Sequence, residues 1–312
     1  ALSALPILRG ALDGRWNMPS KDVGQLISWM PQQRSHGDFR VLWLGDPEAL
    51  PLDGWQLSKG LAYATSWNGS STAVDLWPGS GQGATQLIDD AVTVARHDET
   101  RTLGHLLAPM AIRYVVVPRR MAPGAPGPAL PAPADLAPTL EQQVDLSLLQ
   151  SDDTLSVYEN AAWAPSRTKL PSSAVEGSRS GGLASAGEVD LAGAPPVLRS
   201  PKSPVHDAGS VPSGQVFISQ AADAGWQLKV NGHTAPRRRA FGWANAFSVS
   251  AGGKATLRHH TSPARPLAIL FELALWIVAL RWLWQAWRAR RRARRAAAAT
   301  DAPPPVPVAV GA

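Results

Sequence analysis

Residues Leu267 to Trp287 form a mostly apolar stretch, and nothing else in the chain limits its fold so strongly. As a helix rising about 1.5 Å per residue it would be roughly 31 Å long, close to the hydrocarbon thickness of a bilayer. Pro263 and Pro266 stand at its start, where proline is tolerated. Trp282, Trp284 and Trp287 gather at its far end, as an interfacial aromatic belt would. Arg288, Arg290, Arg291, Arg292, Arg294 and Arg295 follow at once. By the positive-inside rule this order predicts a transmembrane helix with a cytoplasmic C-terminus, leaving residues 1–262 outside the cytoplasm.

Two ionisable residues, Glu272 and Arg281, interrupt the stretch. Its ten large aliphatic or Phe residues contribute roughly −3 to −6 kcal/mol of insertion free energy, against roughly 2.5 to 3.5 for a central charge and less for one off-centre. The helix is therefore expected to insert moderately well. Arg281 can snorkel toward the cytoplasmic face, whereas Glu272 falls in the outer half and calls for a neighbouring helix or water. A packed carboxylate is the simpler reading of Glu272, and a proton or substrate role is the alternative. A buried helix of a soluble domain would rarely set so many tryptophans beside an arginine run.

The same arginines explain the net charge. The chain carries +6 overall, and these six residues supply it, so the rest is near neutral. Phosphate binding would also use such charges, but a nucleic-acid arm has no need of an abutting apolar span with a tryptophan belt, and no nucleic-acid partner is expected. There is no cysteine, which excludes disulfides, thiolate metal sites and a cysteine nucleophile. The first residues, Ala1 to Leu8, lack the basic and apolar regions of a signal peptide. An outer region must nevertheless be delivered, so the chain is expected to be a piece of a longer multi-pass protein, with upstream transmembrane helices as export route and as partners for Glu272.

Patterning predicts an α/β fold with a small partly parallel sheet, then a small all-β sandwich-like domain and one C-terminal transmembrane helix. Residues 1–38 read as a membrane-proximal lead-in and 39–165 as the α/β domain. Phe39 to Leu44 is a strand ended by Gly45-Asp46-Pro47. Ala84, Leu87, Ile88, Ala91, Val92 and Ala95 keep helical spacing, and Leu103 to Leu107 make a second short helix. Ile112 to Val117 and Leu155 to Tyr158 are further strands. Residues 166–214, rich in Ser, Gly, Ala and Pro, read as linker or irregular structure, with Gly187 to Leu191 a short strand candidate. Residues 215–262 form the sandwich-like domain, with strands at Val216–Ile218, Trp226–Val230, Ala246–Val249 and Ala255–Arg258 and a hairpin turn at Asn231-Gly232. Residues 263–287 are the transmembrane helix and 288–312 a basic, then Pro-rich tail. The α/β and β parts are each small for a stable core, so they are expected to pack together.

No catalytic constellation emerges. The histidines show no zinc spacing. Gly79-Ser80-Gly81-Gln82-Gly83 precedes a helix but lacks the Walker lysine and the dinucleotide glycine spacing, so it reads as a solvated loop. Asp89-Asp90 and Asp152-Asp153 are adjacent pairs whose side chains diverge. Asn68-Gly69-Ser70 is an N-x-S sequon. Trp43, Trp55, Trp67, Trp77, Trp163, Trp226 and Trp243 could stack on sugars, although burial is the commoner fate of an aromatic ring. Arg237-Arg238-Arg239 admits two readings, anionic head groups or a solvated loop.

Several strings form a familiar set: Asp13-Gly14-Arg15-Trp16, Arg40 to Pro47, Leu61 to Thr65, Asp75 to Gly79, Leu106 to Met110, Arg113 to Pro118, Val157 to Asn160 and Gly225-Trp226. Together they resemble the C-terminal extracytoplasmic region of actinomycete-type polytopic membrane glycosyltransferases of family two. In that family a cytoplasmic nucleotide-sugar-dependent domain comes first, then many transmembrane helices, then an outer region of this kind. The family's catalytic aspartates and metal-binding D-x-D fall in the earlier domain, so the resemblance carries over no catalytic residue, cofactor or metal. It implies an accessory outer domain and terminal anchor of a cell-envelope glycosyltransferase, with the bilayer, upstream helices and an envelope glycan as partners. The alternative is a membrane-anchored surface carbohydrate-binding or adhesion module without transferase activity.

Overall fold

The computed structural model describes residues 23–47, 50, 54–70, 83–119, 133–152, 154–203, 205–260 and 264–300. The chain divides into two units, 1–259 and 260–312. The lead-in strings before Val23, the Gly79–Gln82 stretch, Trp77 and Asp153 lie outside the described residues.

Strands β1 (Arg40–Gly45), β2 (Trp55–Ser58), β3 (Leu61–Trp67), β4 (Ile112–Pro118), β5 (Leu146–Ser151) and β6 (Leu155–Asn160) form one mixed sheet in the order β2-β3-β1-β4-β6-β5. Only β1 and β4 pair in parallel. Both are almost wholly buried, with Arg40 and Arg113 their charged members, as expected of strands covered on both faces. Alternation divides their side chains between two cores. Leu42, Leu44, Val115 and Val117 face one, and Val41, Trp43, Tyr114 and Val116 the other. The short helix α1 (Val23–Leu26) packs against the second core. The first core is roofed by helices α2 (Ala84–Arg96), α3 (Leu103–Leu107) and the short α4 (Leu136–Glu141), α2 inserting Leu87, Ile88, Ala91, Val92 and Ala95. Buried Asn160 ties α3 to β4 by donating from Nδ2 to the carbonyls of Gly104 and Ile112, both at 2.8 Å. Gly104 is required there, since a Cβ would lie 2.2 Å from Asn160 Oδ1.

Residues 166–214 are not a linker. They contain β7 (Arg167–Lys169), β8 (Ser200–Ser203) and β9 (His206–Val211), with short helices α5 (Ala174–Gly177) and α6 (Gly182–Gly187) between. Gly187–Leu191, expected as a strand, instead ends α6 and continues as coil. Composition misleads here because these strands are held by pairing with partners distant in sequence. β9 pairs with β15 (Gly253–His259) over six residue pairs, Gly253 to Arg258 against Val211 to His206, and β7 pairs with β10 (Gly214–Ile218).

Two antiparallel sheets result. One runs β13 (Arg237–Ala240), β14 (Ala244–Val249), β10, β7, and the other β12 (His233–Thr234), β11 (Trp226–Val230), β15, β9, β8. Val216, Ile218 and Phe247 of the first face Trp226, Leu228 and Leu257 of the second across a sandwich core. Asn231 and Gly232 carry φ of 50° and 86°, the left-handed pair a tight hairpin needs. The first sheet also has a second buried face. Phe217, Phe241 and Ala246 join the core beneath α2 and α3, so one sheet serves both the sandwich and the α/β layer.

Beneath this junction Arg167, 4% exposed, sits between Asp38 Oδ2 at 2.9 Å and fully buried Asp207 Oδ2 at 3.0 Å. Asp38 also accepts from Asn68 Nδ2, and Asn68 Oδ1 accepts from the Phe39 N–H. The sequon asparagine is therefore a buried structural residue that joins β3 to β1.

Candidate membrane anchor and surface clefts

Helix α7 covers Ala264–Thr300. Its span Pro266–Arg290 has 25 residues, its most apolar 18-residue window has a mean hydropathy of 1.9, and none of it is buried within the chain. At about 1.5 Å per residue that is ~37 Å, long enough to cross a bilayer. The core helix of a soluble protein would hide this surface; here Leu270, Phe271, Trp276 and Ile277 are all exposed. The helix was expected to end near residue 287, yet it runs on through the arginines. Alanine and arginine are both strong helix formers, and the segment after Trp287 contains little else.

Trp282, Trp284 and Trp287 all lie exposed on this helix near the basic end. Arg288 stacks its guanidinium on the Trp284 ring, 3.5 Å from the centroid, an i, i+4 contact of cation and π face. Arg290 follows on the same helix, and Arg291, Arg292, Arg294 and Arg295 belong to its last turns. Glu272 and Arg281 are both exposed. Nine residues separate them, which at about 100° per residue places them on opposite faces roughly 13 Å apart along the axis. They cannot pair within the helix.

In the 1–259 unit the described tryptophans are mainly spent on packing. Trp43, Trp226 and Trp243 are buried. Trp55 stacks on Tyr63 with centroids 5.3 Å apart. Trp67 lies under the Arg40 guanidinium. Trp163 packs against Phe39 and the buried Arg113. Of the 237–239 arginine run, Arg238 turns inward to Gln215 Oε1 and Ser178 Oγ. Burial, with the nearby Arg179, pulls its pKa below the usual value. Among the described residues no group of three or more His, Asp or Glu side chains converges as metal ligands would.

The 1–259 unit carries at least two clefts. The larger, about 830 Å³, lies beside β7, β10 and β14 and is lined by Lys169, Leu170, Val175, Gln215, Pro236 and Val249. The smaller, about 260 Å³, lies between the 3-10 turn Met30–His36, the start of β7 and the Pro196–Arg199 run. Arg34, Asp38, Ser166, Arg167 and Arg199 are among its lining residues. Sequence reading gave no sign of either, since each draws on segments far apart in the chain. Comparison with protein-family models, with curated proteins and with solved structures yields no match.

Proposed function

We propose that this chain is the accessory extracytoplasmic region and terminal membrane anchor of a multi-pass bacterial glycosyltransferase acting on cell-envelope glycans. The observation that carries the anchoring is the Pro266–Arg290 span, which is apolar, wholly exposed and followed by arginines. Such a surface is stable only in lipid or against other apolar helices. The Trp284–Arg288 stack supports an orientation with the basic end at the cytoplasmic interface. Glu272, exposed in the outer half of the span, supports neighbouring helices, because a carboxylate facing hydrocarbon alone is costly. The glycosyltransferase assignment rests on the sequence resemblance. An adhesion module binding sugars by tryptophan stacking is less well supported, since the described outer tryptophans are committed to internal packing.

A reporter fused after Ala312, expressed with the native upstream sequence, tests the topology. A cytoplasmic signal is expected, and replacing the six arginines by Gln should scramble it. A periplasmic signal from the unmodified protein would reject the orientation. Sugar transfer by this chain alone from a nucleotide-sugar donor would reject the accessory role.

A further inference from the structure

The smaller cleft has charge to spare. Arg167 is matched by Asp38 and Asp207. Arg34 and Arg199 on the rim are both exposed, and neither has a carboxylate partner among the described residues. The Gly37 N–H donates to the Arg34 carbonyl at 2.9 Å and closes the turn that carries Arg34, while the Arg199 side chain is held by Nη2 donating to the Ser35 carbonyl at 2.5 Å, with no other side-chain partner among the described residues. Leu198, just before Arg199, has φ +55°, a left-handed conformation that a bulky residue seldom adopts. Strain of this kind gathers where a side chain must be aimed at a ligand.

The floor carries a second signal. Ser166 is 1% exposed and its Oγ has no hydrogen-bond partner. Its backbone is fully engaged, the N–H with the Asp38 carbonyl and the carbonyl with the Ser219 N–H, both at 2.8 Å. A buried hydroxyl left unsatisfied is unusual and points to a partner that completes it. Asp38, 12% exposed, lines the same floor and retains acceptor capacity beyond Arg167 and Asn68.

We propose that this cleft binds a small hydroxylated oxyanion of the size of one sugar acid or sugar phosphate. Its carboxylate or phosphate sits between Arg34 and Arg199, and its hydroxyls reach Ser166 Oγ and Asp38. Two guanidinium groups favour an oxyanion, because charge-assisted hydrogen bonds are the strong ones. At about 260 Å³ the cleft lies just below the range of drug-sized pockets, which suits a monosaccharide unit better than a nucleotide sugar. The site does not depend on the membrane reading, and its test is separate from the topology reporter.

Calorimetric titration of the full chain in detergent micelles, with D-glucuronate, glucose 1-phosphate, glucose and inorganic phosphate, decides it. Glucuronate, glucose 1-phosphate or both should bind, with glucose and inorganic phosphate at least ~10-fold weaker. The first two separate a carboxylate from a phosphate ligand. Arg34→Ala with Arg199→Ala should weaken binding by ~10-fold or more. Ser166→Ala should weaken it several-fold while the thermal midpoint holds or rises, since the substitution removes an unsatisfied hydroxyl. Four results would each overturn the proposal: no binding by either sugar anion, glucose or phosphate binding as tightly as they do, affinity unchanged in the double arginine variant, or Ser166→Ala lowering the midpoint with affinity intact.

Discussion

Arg40 Nη1 donates to Ser219 Oγ at 2.9 Å and Arg40 Nη2 to the Ser219 carbonyl at 2.6 Å, joining residues 179 positions apart. Ser219 Oγ passes the connection on to the Pro109 carbonyl at 2.8 Å. Start of the central parallel strand, end of β10 and the turn before β4 are thereby locked together, at the place where the α/β and sandwich layers share a sheet. Arg40→Met should cost the 1–259 unit about 2–4 kcal/mol, because hydrogen bonds from a charged donor are lost and buried acceptors are left alone. Urea unfolding followed by tryptophan fluorescence should show one transition moved to lower denaturant. Two separate transitions would contradict the shared core.

Arg167 is a sharper test of buried charge. With Asp207 fully buried and Asp38 nearly so, Arg167→Met strands two carboxylates and should destabilise by about 3–5 kcal/mol. Adding Asp38→Asn and Asp207→Asn should recover part of that loss, since no buried charge then remains without its partner. Chemical denaturation of the single and triple variants would show the recovery.

The chain has three tyrosines, and all are buried. Burial, the largest cause in each case, pushes Tyr63 and Tyr114 up to about 12, and Tyr158 is also raised. A raised folded pKa means that the native state holds its phenolic protons when the unfolded chain, ionising near pH 10, has begun to release them. Their contribution to stability is therefore complete below about pH 10 and is lost as pH rises toward 12. Absorbance of phenolate should stay low through pH 10 and then grow together with loss of the near-ultraviolet dichroism. Ionisation of all three near pH 10 in the folded protein would contradict their burial.

Glu272 limits how well α7 inserts by itself. Glu272→Leu removes a charge from the N-terminal half of the span and should improve insertion of the isolated helix by about 1–3 kcal/mol. A translocon insertion assay on residues 260–300 would read this as a larger inserted fraction. With the native upstream sequence attached, the proposed neighbouring helices would shelter the carboxylate and the gain should shrink.

Local patterns in the sequence determined local structure wherever one face of an element is buried by a fixed period. Ala84 to Ala95 became α2, Trp226-Leu228-Val230 became β11 with those three side chains inward, and Asn231-Gly232 took the left-handed turn. The apolar run from Leu267 likewise declared itself, because a bilayer-length helix needs no tertiary partner to satisfy its backbone. Tertiary structure alone decided the fate of residues 166–214, whose Ser, Gly, Ala and Pro carry little periodic signal; β7, β8 and β9 form because sheets built elsewhere offer them unpaired edges. It also decided that adjacent Val216 and Phe217 serve different cores. Alternation shows that two apolar neighbours point apart, but not what covers each. The cleft of Arg34, Ser166 and Arg199 was invisible for the same reason: strand pairing over long sequence separations brought its walls together.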